Sequence, residues 1–190
     1  MKVSAKNVEA LAARAERDNW LLRSHLKWQD ELDEPELDQL VFDTTRRVWE
    51  DMDCTRCANC CRDLQPTVTE EEAGRLAGAV GMSVEDFRAA YLEELTAEDY
   101  EDEDLEDGAE KPRWRVKGKP CPFLRDNRCT VYEHRPSPCR GYPYLYEPAF
   151  SFRTWGMIER TFTCPVVYRV LEELKKEFPD YRRSAEDMEL

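Results

Sequence analysis

The sequence predicts an α+β fold, in which a mostly helical body carries a small antiparallel β-hairpin layer. Three observations lead to this prediction. Apolar residues recur at helical spacing near both ends of the chain, helix-capping residues stand between them, and short runs rich in aromatic and β-branched residues follow Trp114. The chain of 190 residues is long enough for one domain with a buried core.

The same patterns divide the chain into three segments. Residues 1–53 are predicted to form a helical extension that packs on the same domain as the rest. Residues 54–178 are predicted to form a cysteine-rich domain, in which residues 98–111 are an acidic loop. Residues 179–190 are left as a C-terminal tail.

The predicted helices begin at recognisable start signals. The first segment holds two helices, and the second of them opens at Pro35, because proline is favoured in the first helical turn. Further along, Thr69 and Glu72 form a capping box, and Ser83 opens the next helix. The last helix begins at Pro165, and its apolar face consists of Val167, Val170, Leu171, Leu174 and Phe178.

Two pairs of strands are predicted in the second half of the chain. The run over residues 114–132 indicates a β-hairpin that turns at Asp126 and Asn127. The run over residues 141–155 places aromatic side chains at alternating positions, which indicates a second pair of strands with Pro143 at an edge or bulge.

The charge of the chain limits its partners. The formal net charge is −13, from 41 acidic and 28 basic residues. Nucleic acid and anionic membranes both attract basic surfaces, so we expect neither as a partner, whereas a protein partner stays open. Residues 98–107 contain eight carboxylates without the spacing of a calcium loop, and they are predicted to be a solvated loop.

The N-terminal residues indicate the compartment. Charged residues interrupt the first twenty positions, so the apolar stretch of about 7–15 residues that a secretory signal needs is missing. No run approaches the roughly 20 apolar residues of a membrane span. We therefore expect a cytoplasmic protein with reduced thiols, in which clustered cysteines indicate metal or redox chemistry rather than disulfides.

The eight cysteines are the compositional anomaly of the chain. Four stand in the run CTRCANCC at residues 54–61. A Cys-x-x-Cys step brings two sulfurs to one metal ion, and eight thiols can supply two four-coordinate sites. The predicted metal ligands, carried in part by the hairpin layer, are Cys54, Cys57, Cys60, Cys61, Cys121, Cys129, Cys139 and Cys164.

The doubled cysteine, Cys60 with Cys61, has two interpretations. Adjacent residues project in different directions, so we expect that both do not ligate one tetrahedral ion. Either the two serve different centres, or one of them has a task other than metal binding.

Three arginines close to the cysteines are predicted to support a bound metal centre: Arg56, Arg135 and Arg140. Four thiolates on Zn²⁺ or on a [4Fe–4S] cluster leave a net charge of −2, which guanidinium groups offset by hydrogen bonds to sulfur. The alternative is that these arginines pair with surface carboxylates.

The ligand set suits two kinds of metal centre. Cysteine-only coordination without a well-placed histidine fits a structural Zn²⁺ and a 4Fe-4S cluster equally. Three closely spaced cysteines with a remote fourth are typical of ferredoxins, which favours the iron–sulfur cluster over zinc.

The cysteine motif resembles that of a known family. The Cys54-x-x-Cys57-x-x-Cys60-Cys61 run, with CPFL at 121–124, CTVYEHRPSPCRGYP at 129–143 and the late Cys164, is similar to the CxxCxxCC cysteine-cluster (YkgJ-like) proteins. That resemblance implies chelation of zinc or iron by the eight cysteines. A related motif occurs in the flagellin lysine methylases, where it is linked to an iron–sulfur cluster.

Three functions follow as hypotheses. The first is a cytoplasmic metal-binding protein that holds an iron–sulfur cluster or zinc. The second is a metal-dependent enzyme, for which the resemblance suggests a relation to iron–sulfur methylases of protein lysines. The third is a zinc-stapled interaction module that docks a partner through the N-terminal helices or the acidic loop.

Overall fold

The computed structural model describes residues 3–28, 33–96, 99 and 111–186. These residues divide into two compact units. Unit 1 contains the described residues up to 59 and from 143 onward, and unit 2 contains those from 60 to 142. Apart from Asp99 and Lys111, the predicted acidic loop lies outside the described residues.

Unit 1 is built from helices of both chain ends. Its helices are α1 (Val8–Trp28), α2 (Glu34–Trp49), the one-turn α3 (Cys54–Cys57), α8 (Phe150–Thr161), α9 (Pro165–Glu177) and α10 (Tyr181–Glu186).

The core of unit 1 lies between its longer helices. Helix α1 packs against α8, α9 and α10, and α2 packs against α8 and α9. The predicted second helix is confirmed, and its N-cap Asp33 accepts a hydrogen bond from the backbone N of Glu36 at 3.2 Å. The apolar faces meet in a fully buried core that includes Val8, Leu22, Leu37, Val41, Met157, Val170 and Leu174.

Helix α8 replaces the second pair of strands that the aromatic alternation predicted, so that prediction is wrong. The helix begins after Ala149, whose backbone is left-handed with φ 59°. The carboxylate of Asp38 on α2 accepts hydrogen bonds from the backbone N of Ala149 at 2.8 Å and of Phe150 at 2.9 Å. A carboxylate of another helix thus caps α8, because its own N-cap residue has no side chain that could do so.

Unit 2 contains shorter elements. They are α4 (Asn59–Asp63, which begins at the last residue of unit 1), β1 (Thr67–Val68), α5 (Glu70–Val80), α6 (Val84–Tyr91), β2 (Leu92–Glu94), β3 (Trp114–Val116), β4 (Leu124–Arg125), β5 (Arg128–Cys129) and α7 (Ser137–Gly141). The predicted capping box of Thr69 and Glu72 and the Ser83 N-cap are both confirmed.

The strands of unit 2 form two small antiparallel sheets. Strand β3 lies between β1 and β2, with Trp114 opposite Val68 on one side and Glu94 on the other. The predicted hairpin is confirmed only in β4 and β5, which turn at Asp126 and Asn127. Both turn residues have positive φ, 49° and 61°, as a two-residue hairpin turn requires. The Trp114 strand was wrongly assigned to this hairpin, because its partners come from distant parts of the chain.

A second apolar core supports these sheets within unit 2. Phe87 and Phe123 stack with ring centroids 6.0 Å apart, and Tyr91 packs against both rings. Cys121 and Cys129 pack at the edge of this core, whose buried members include Val68, Leu76, Val116 and Val131. Two of the candidate ligands are therefore held by apolar packing.

The predicted fold class is confirmed as mostly helical with a small antiparallel sheet. The predicted domain boundaries stay predictions. Within the described ranges, every helix is too short or too polar to cross a membrane.

Replacing Asp38 by alanine tests the cap of α8. We expect Asp38→Ala to lower the free energy of unfolding by about 2 kcal/mol, because one buried and one half-buried backbone N–H group lose a charged acceptor. Urea denaturation measures this. The control is Asp43→Ala on the exposed face of α2, where the salt bridge to Arg46 contributes little. Equal losses in both variants would contradict the capping role.

Candidate metal centre

All eight cysteines lie in the described residues, and each is a free thiol. Their exposure differs: Cys164 is buried, Cys54 is exposed, and the other six are half-buried. The chain therefore offers eight sulfur ligands that no disulfide consumes.

Unit 1 holds three of these thiols, two on α3 and one before α9. One helical turn separates Cys54 from Cys57, so both lie on the same face of α3. The carboxylate of Asp53 caps this turn by accepting hydrogen bonds from the backbone N of Thr55 at 2.8 Å and from its hydroxyl at 2.6 Å. Cys164 occupies the N-cap position of α9.

A side-chain hydrogen bond ties these two parts of unit 1 together. Nδ2 of Asn59 donates to the carbonyl oxygen of Thr163 at 2.7 Å, next to Cys164. Burial, with smaller contributions from the nearby thiols of Cys54 and Cys57, raises the pKa of the Cys164 thiol to about 12, against two backbone N–H groups of α9. The three thiols therefore lie within electrostatic range, although 107 residues separate Cys57 from Cys164.

Unit 2 gathers a second set of four thiols. The backbone N of Cys121 donates a hydrogen bond to the carbonyl oxygen of Cys61 at 2.8 Å. Strand β5 carries Cys129, and the short helix α7 carries Cys139. The four-thiol set is Cys61, Cys121, Cys129 and Cys139.

The thiols of this set affect one another's ionisation. Burial raises the pKa of Cys139 to about 12, and the other three thiols contribute to the rise. Burial also raises the pKa values of Cys121 and Cys129, with further contributions from Cys61 and, for Cys121, from Cys129. Every pair in the set therefore interacts, which places the four sulfurs in one neighbourhood.

The doubled cysteine forms a sulfur–sulfur contact. Sγ of Cys60 lies 3.9 Å from Sγ of Cys61, within reach of a weak S–H hydrogen bond. That hydrogen bond lowers the pKa of Cys61 to about 7 against the effect of burial, with help from the Arg62 and Arg135 guanidinium groups. The charged form of the Cys61 thiol is thus favoured.

The three predicted arginines differ in their relation to the thiols. The Arg135 guanidinium helps to lower the pKa of Cys61 and opposes the rise in the pKa values of Cys129 and Cys139. Its Cζ lies 3.5 Å from the ring centroid of Tyr132. Nε of Arg140 donates to the carbonyl oxygen of Arg135 at 2.8 Å, so Arg140 supports its neighbour. Arg56 instead pairs with Asp53 at 3.8 Å, and its side chain is 89 % exposed.

Two arginines outside the predicted set of three also act on the four-thiol set: Arg62, which the sequence marks as close to a cysteine, and Arg125, which sequence reasoning missed. Arg62 favours the charged form of Cys61, and Arg125 favours that of Cys121. Arg62 also donates to the side-chain oxygen of Asn127 in the hairpin turn. Both arginines stand one or four residues from a cysteine, and this short spacing is the signal that identifies them.

Glu72 fixes the segment that carries Cys139. Its Oε1 accepts hydrogen bonds from the backbone N of Ser137 at 2.7 Å and from the Ser137 hydroxyl at 2.6 Å. Its Oε2 accepts from the backbone N of Thr69 at 3.1 Å and so closes the capping box. One carboxylate thus links the start of α5 to the start of α7.

The residues present fit a metal centre by their donor chemistry. Thiolates are soft ligands that suit zinc and iron–sulfur clusters, and each unit supplies at least three of them. In the part of the chain that the structure describes, no three cysteine, histidine, aspartate or glutamate side chains converge closely enough to hold a metal ion as they stand. The thiols are neighbours without being closed around a common point.

Comparison with protein families identifies the class of this chain. Residues 53–165 match the family model CxxCxxCC, described as "Putative zinc- or iron-chelating domain". The match covers more than half of the chain, so the protein belongs to this family. A search of curated proteins finds no match, and a search of solved structures finds none either.

The pH dependence of stability tests the role of Glu72. Burial would raise the pKa of Glu72, but the hydrogen bonds from Ser137 and Thr69, with Arg75 nearby, hold it below the ordinary value of 4.5. The unfolded chain therefore takes up this proton first as the pH falls, and the stability contributed by Glu72 is present above pH 4.5 and lost below it.

We expect Glu72→Gln to lower the free energy of unfolding by about 1–2 kcal/mol at neutral pH, because charged hydrogen bonds are lost. The difference from wild type should shrink as the pH falls below 4.5. Urea denaturation at several pH values measures it. Glu71→Gln is the control, since that side chain is 81 % exposed on the same helix. A constant difference at all pH values would contradict the assignment.

Proposed function

We propose that the protein binds metal through two thiol centres, one in each unit, and that the centre in unit 2 holds an iron–sulfur cluster. The observation that carries this proposal is the four-thiol set, in which the backbone N of Cys121 bonds to the carbonyl oxygen of Cys61, and Cys121 and Cys129 pack at the edge of one apolar core. Four cysteines are the full ligand complement of a [4Fe–4S] cluster and of a structural Zn²⁺. The three-thiol set of Cys54, Cys57 and Cys164 forms the second centre.

The surroundings of the four-thiol set support a bound centre. A cluster or Zn²⁺ with four thiolates carries a net charge of −2, and Arg62, Arg125 and Arg135 supply positive charge near these sulfurs. The apolar core of unit 2 backs Cys121 and Cys129 and limits the access of water. When bound, an iron–sulfur cluster supplies one-electron chemistry, whereas zinc supplies a structural cross-link.

The three-thiol set favours a second candidate function, that of a metal-dependent enzyme. A four-coordinate metal held by three protein ligands keeps one position for water or substrate, as catalytic zinc sites do. Unit 1 brings three thiols together and buries the sulfur of Cys164. This candidate would be supported if unit 1 retains its metal and spectroscopy shows that one ligand of that metal exchanges.

Metal analysis of two matched variants tests the two-centre assignment. After anaerobic purification we expect iron, acid-labile sulfide and visible absorbance in the wild-type protein. Cys139→Ser should lose the metal of unit 2 and keep that of unit 1, and Cys164→Ser should do the reverse. Each variant removes one sulfur, so each serves as the control for the other.

The possible results separate the parts of the proposal. Loss of all metal in both variants would show a single shared centre and contradict the assignment. A colourless protein that contains zinc would contradict the iron–sulfur cluster and leave the thiol centres. A folded wild-type protein without any metal would contradict metal binding.

The doubled cysteine gives a further prediction. Cys61 interacts with each of the other members of the four-thiol set, and the sulfur of Cys60 lies against that of Cys61. We therefore expect Cys61→Ser to remove the unit 2 metal and Cys60→Ser to leave it in place. Metal content per chain measures both, and equal losses would show that the two cysteines share one role.

A further inference from the structure

A separate cavity lies in unit 1. Along the sequence, its lining residues are distant from the α3 turn that carries Cys54 and Cys57. Its volume is about 300 Å³, and it is lined by Tyr144, Glu147, Arg153, Gly156, Met157 and Arg160. Two guanidinium groups on the wall of one cavity are notable in a chain with a net charge of −13. Neither belongs to the metal centres proposed above.

The first of these arginines, Arg153, is occupied by the loop in front of α8. Its guanidinium donates to the carbonyl oxygens of Tyr144 at 2.8 Å and Pro148 at 2.8 Å, and also to that of Glu147. Burial lowers the pKa of Arg153, and the carboxylates of Glu147, Asp38 and Glu34 oppose this while the nearby charge of Arg160 adds to it. Arg153 is therefore a structural group whose donors and charge already have partners.

The second arginine, Arg160, is placed differently. Its Cζ lies 4.8 Å from the ring centroid of Tyr144, so the guanidinium lies over the aromatic face. In the part of the chain that the structure describes, no carboxylate forms an ion pair with Arg160. Its side chain is half-buried. A partly desolvated guanidinium that no carboxylate pairs with directly can bind an oxyanion.

Gly156 makes room for this arrangement. It precedes Arg160 by one turn of α8, and a Cβ built on Gly156 would overlap Nη1 of Arg160. Any larger residue at this position would push the guanidinium out of its place along the helix. The glycine lowers helix propensity, so its presence in the middle of α8 has a packing reason in the arginine beside it.

We propose that this cavity binds a small molecule with a single carboxylate or phosphate group, held by the guanidinium of Arg160. The planar fork of arginine matches both groups by two parallel hydrogen bonds. Glu147 lines the same cavity and repels a second negative charge, so a ligand with one anionic group fits best. Met157, which is buried, lies behind the cavity wall as part of its apolar lining.

Calorimetric titration of the full-length protein at low ionic strength tests the proposal. The probes are inorganic phosphate and lactate, which separate the phosphate source from the carboxylate source. We expect saturable binding of at least one probe, weakened tenfold or more in Arg160→Gln. The control is Arg46→Gln, which removes the same charge from an exposed position on α2 and should bind like wild type.

A second variant separates binding from folding. Gly156→Ala should keep or raise the thermal midpoint, because alanine favours the helix, and should weaken binding as Arg160→Gln does. The metal content of all variants is measured in parallel, so that a loss of metal is distinguished from a loss of the anion. Absence of saturable binding by wild type, or equal binding by wild type and Arg160→Gln, would overturn the proposal.

Discussion

Unit 2 depends on one buried carboxylate, that of Glu72. This group closes the capping box of α5 and accepts both hydrogen bonds that Ser137 can donate. A buried carboxylate is costly unless its oxygens are hydrogen-bonded, and backbone, hydroxyl and guanidinium donors meet that need here. Because Glu72 is anchored on a core helix, the segment that carries Cys139 is held on the same apolar core that backs Cys121 and Cys129.

Unit 1 uses the same physical device at another place. Asp38 on α2 holds the first backbone N–H groups of α8, and Glu34 of the same helix accepts from the backbone N of Ser151 at 2.9 Å. These bonds fix the start of α8, and the chain that leaves its end leads to Cys164. In both units the backbone around the thiols is therefore set by carboxylate caps and apolar packing.

Local signals predicted the parts of the fold that local interactions form. The capping box of Thr69 and Glu72 is one example, since all its partners stand within four residues. The aromatic alternation before Trp155 gave a wrong prediction of strands, because period-2 spacing also occurs where a loop enters a helix. What decides the helix there is Asp38, 112 residues from Phe150 in sequence. Its contribution could not be read from spacing.

The same limit applies to the thiols. Spacing identified all eight as candidates and marked the doubled cysteine as unusual. The association of Cys164 with the α3 turn, and of Cys61 with the hairpin, depends on long-range hydrogen bonds such as those of Asn59 and of the Cys121 backbone. These bonds join residues 60 or more positions apart, so only the folded chain reveals the two sets.

In the centre proposed for unit 2, the arginines around the four-thiol set meet an electrostatic requirement that is the same for zinc and for an iron–sulfur cluster. Ligand thiols must lose their protons, and burial opposes this, as the raised pKa of Cys139 shows. A guanidinium offsets the cost only if it remains close while it stays charged. Stacking on the ring of Tyr132 holds Arg135 in such a position, which the flexible ammonium of a lysine would not keep. A planar, permanently charged group at this position thus follows from the burial of the sulfurs.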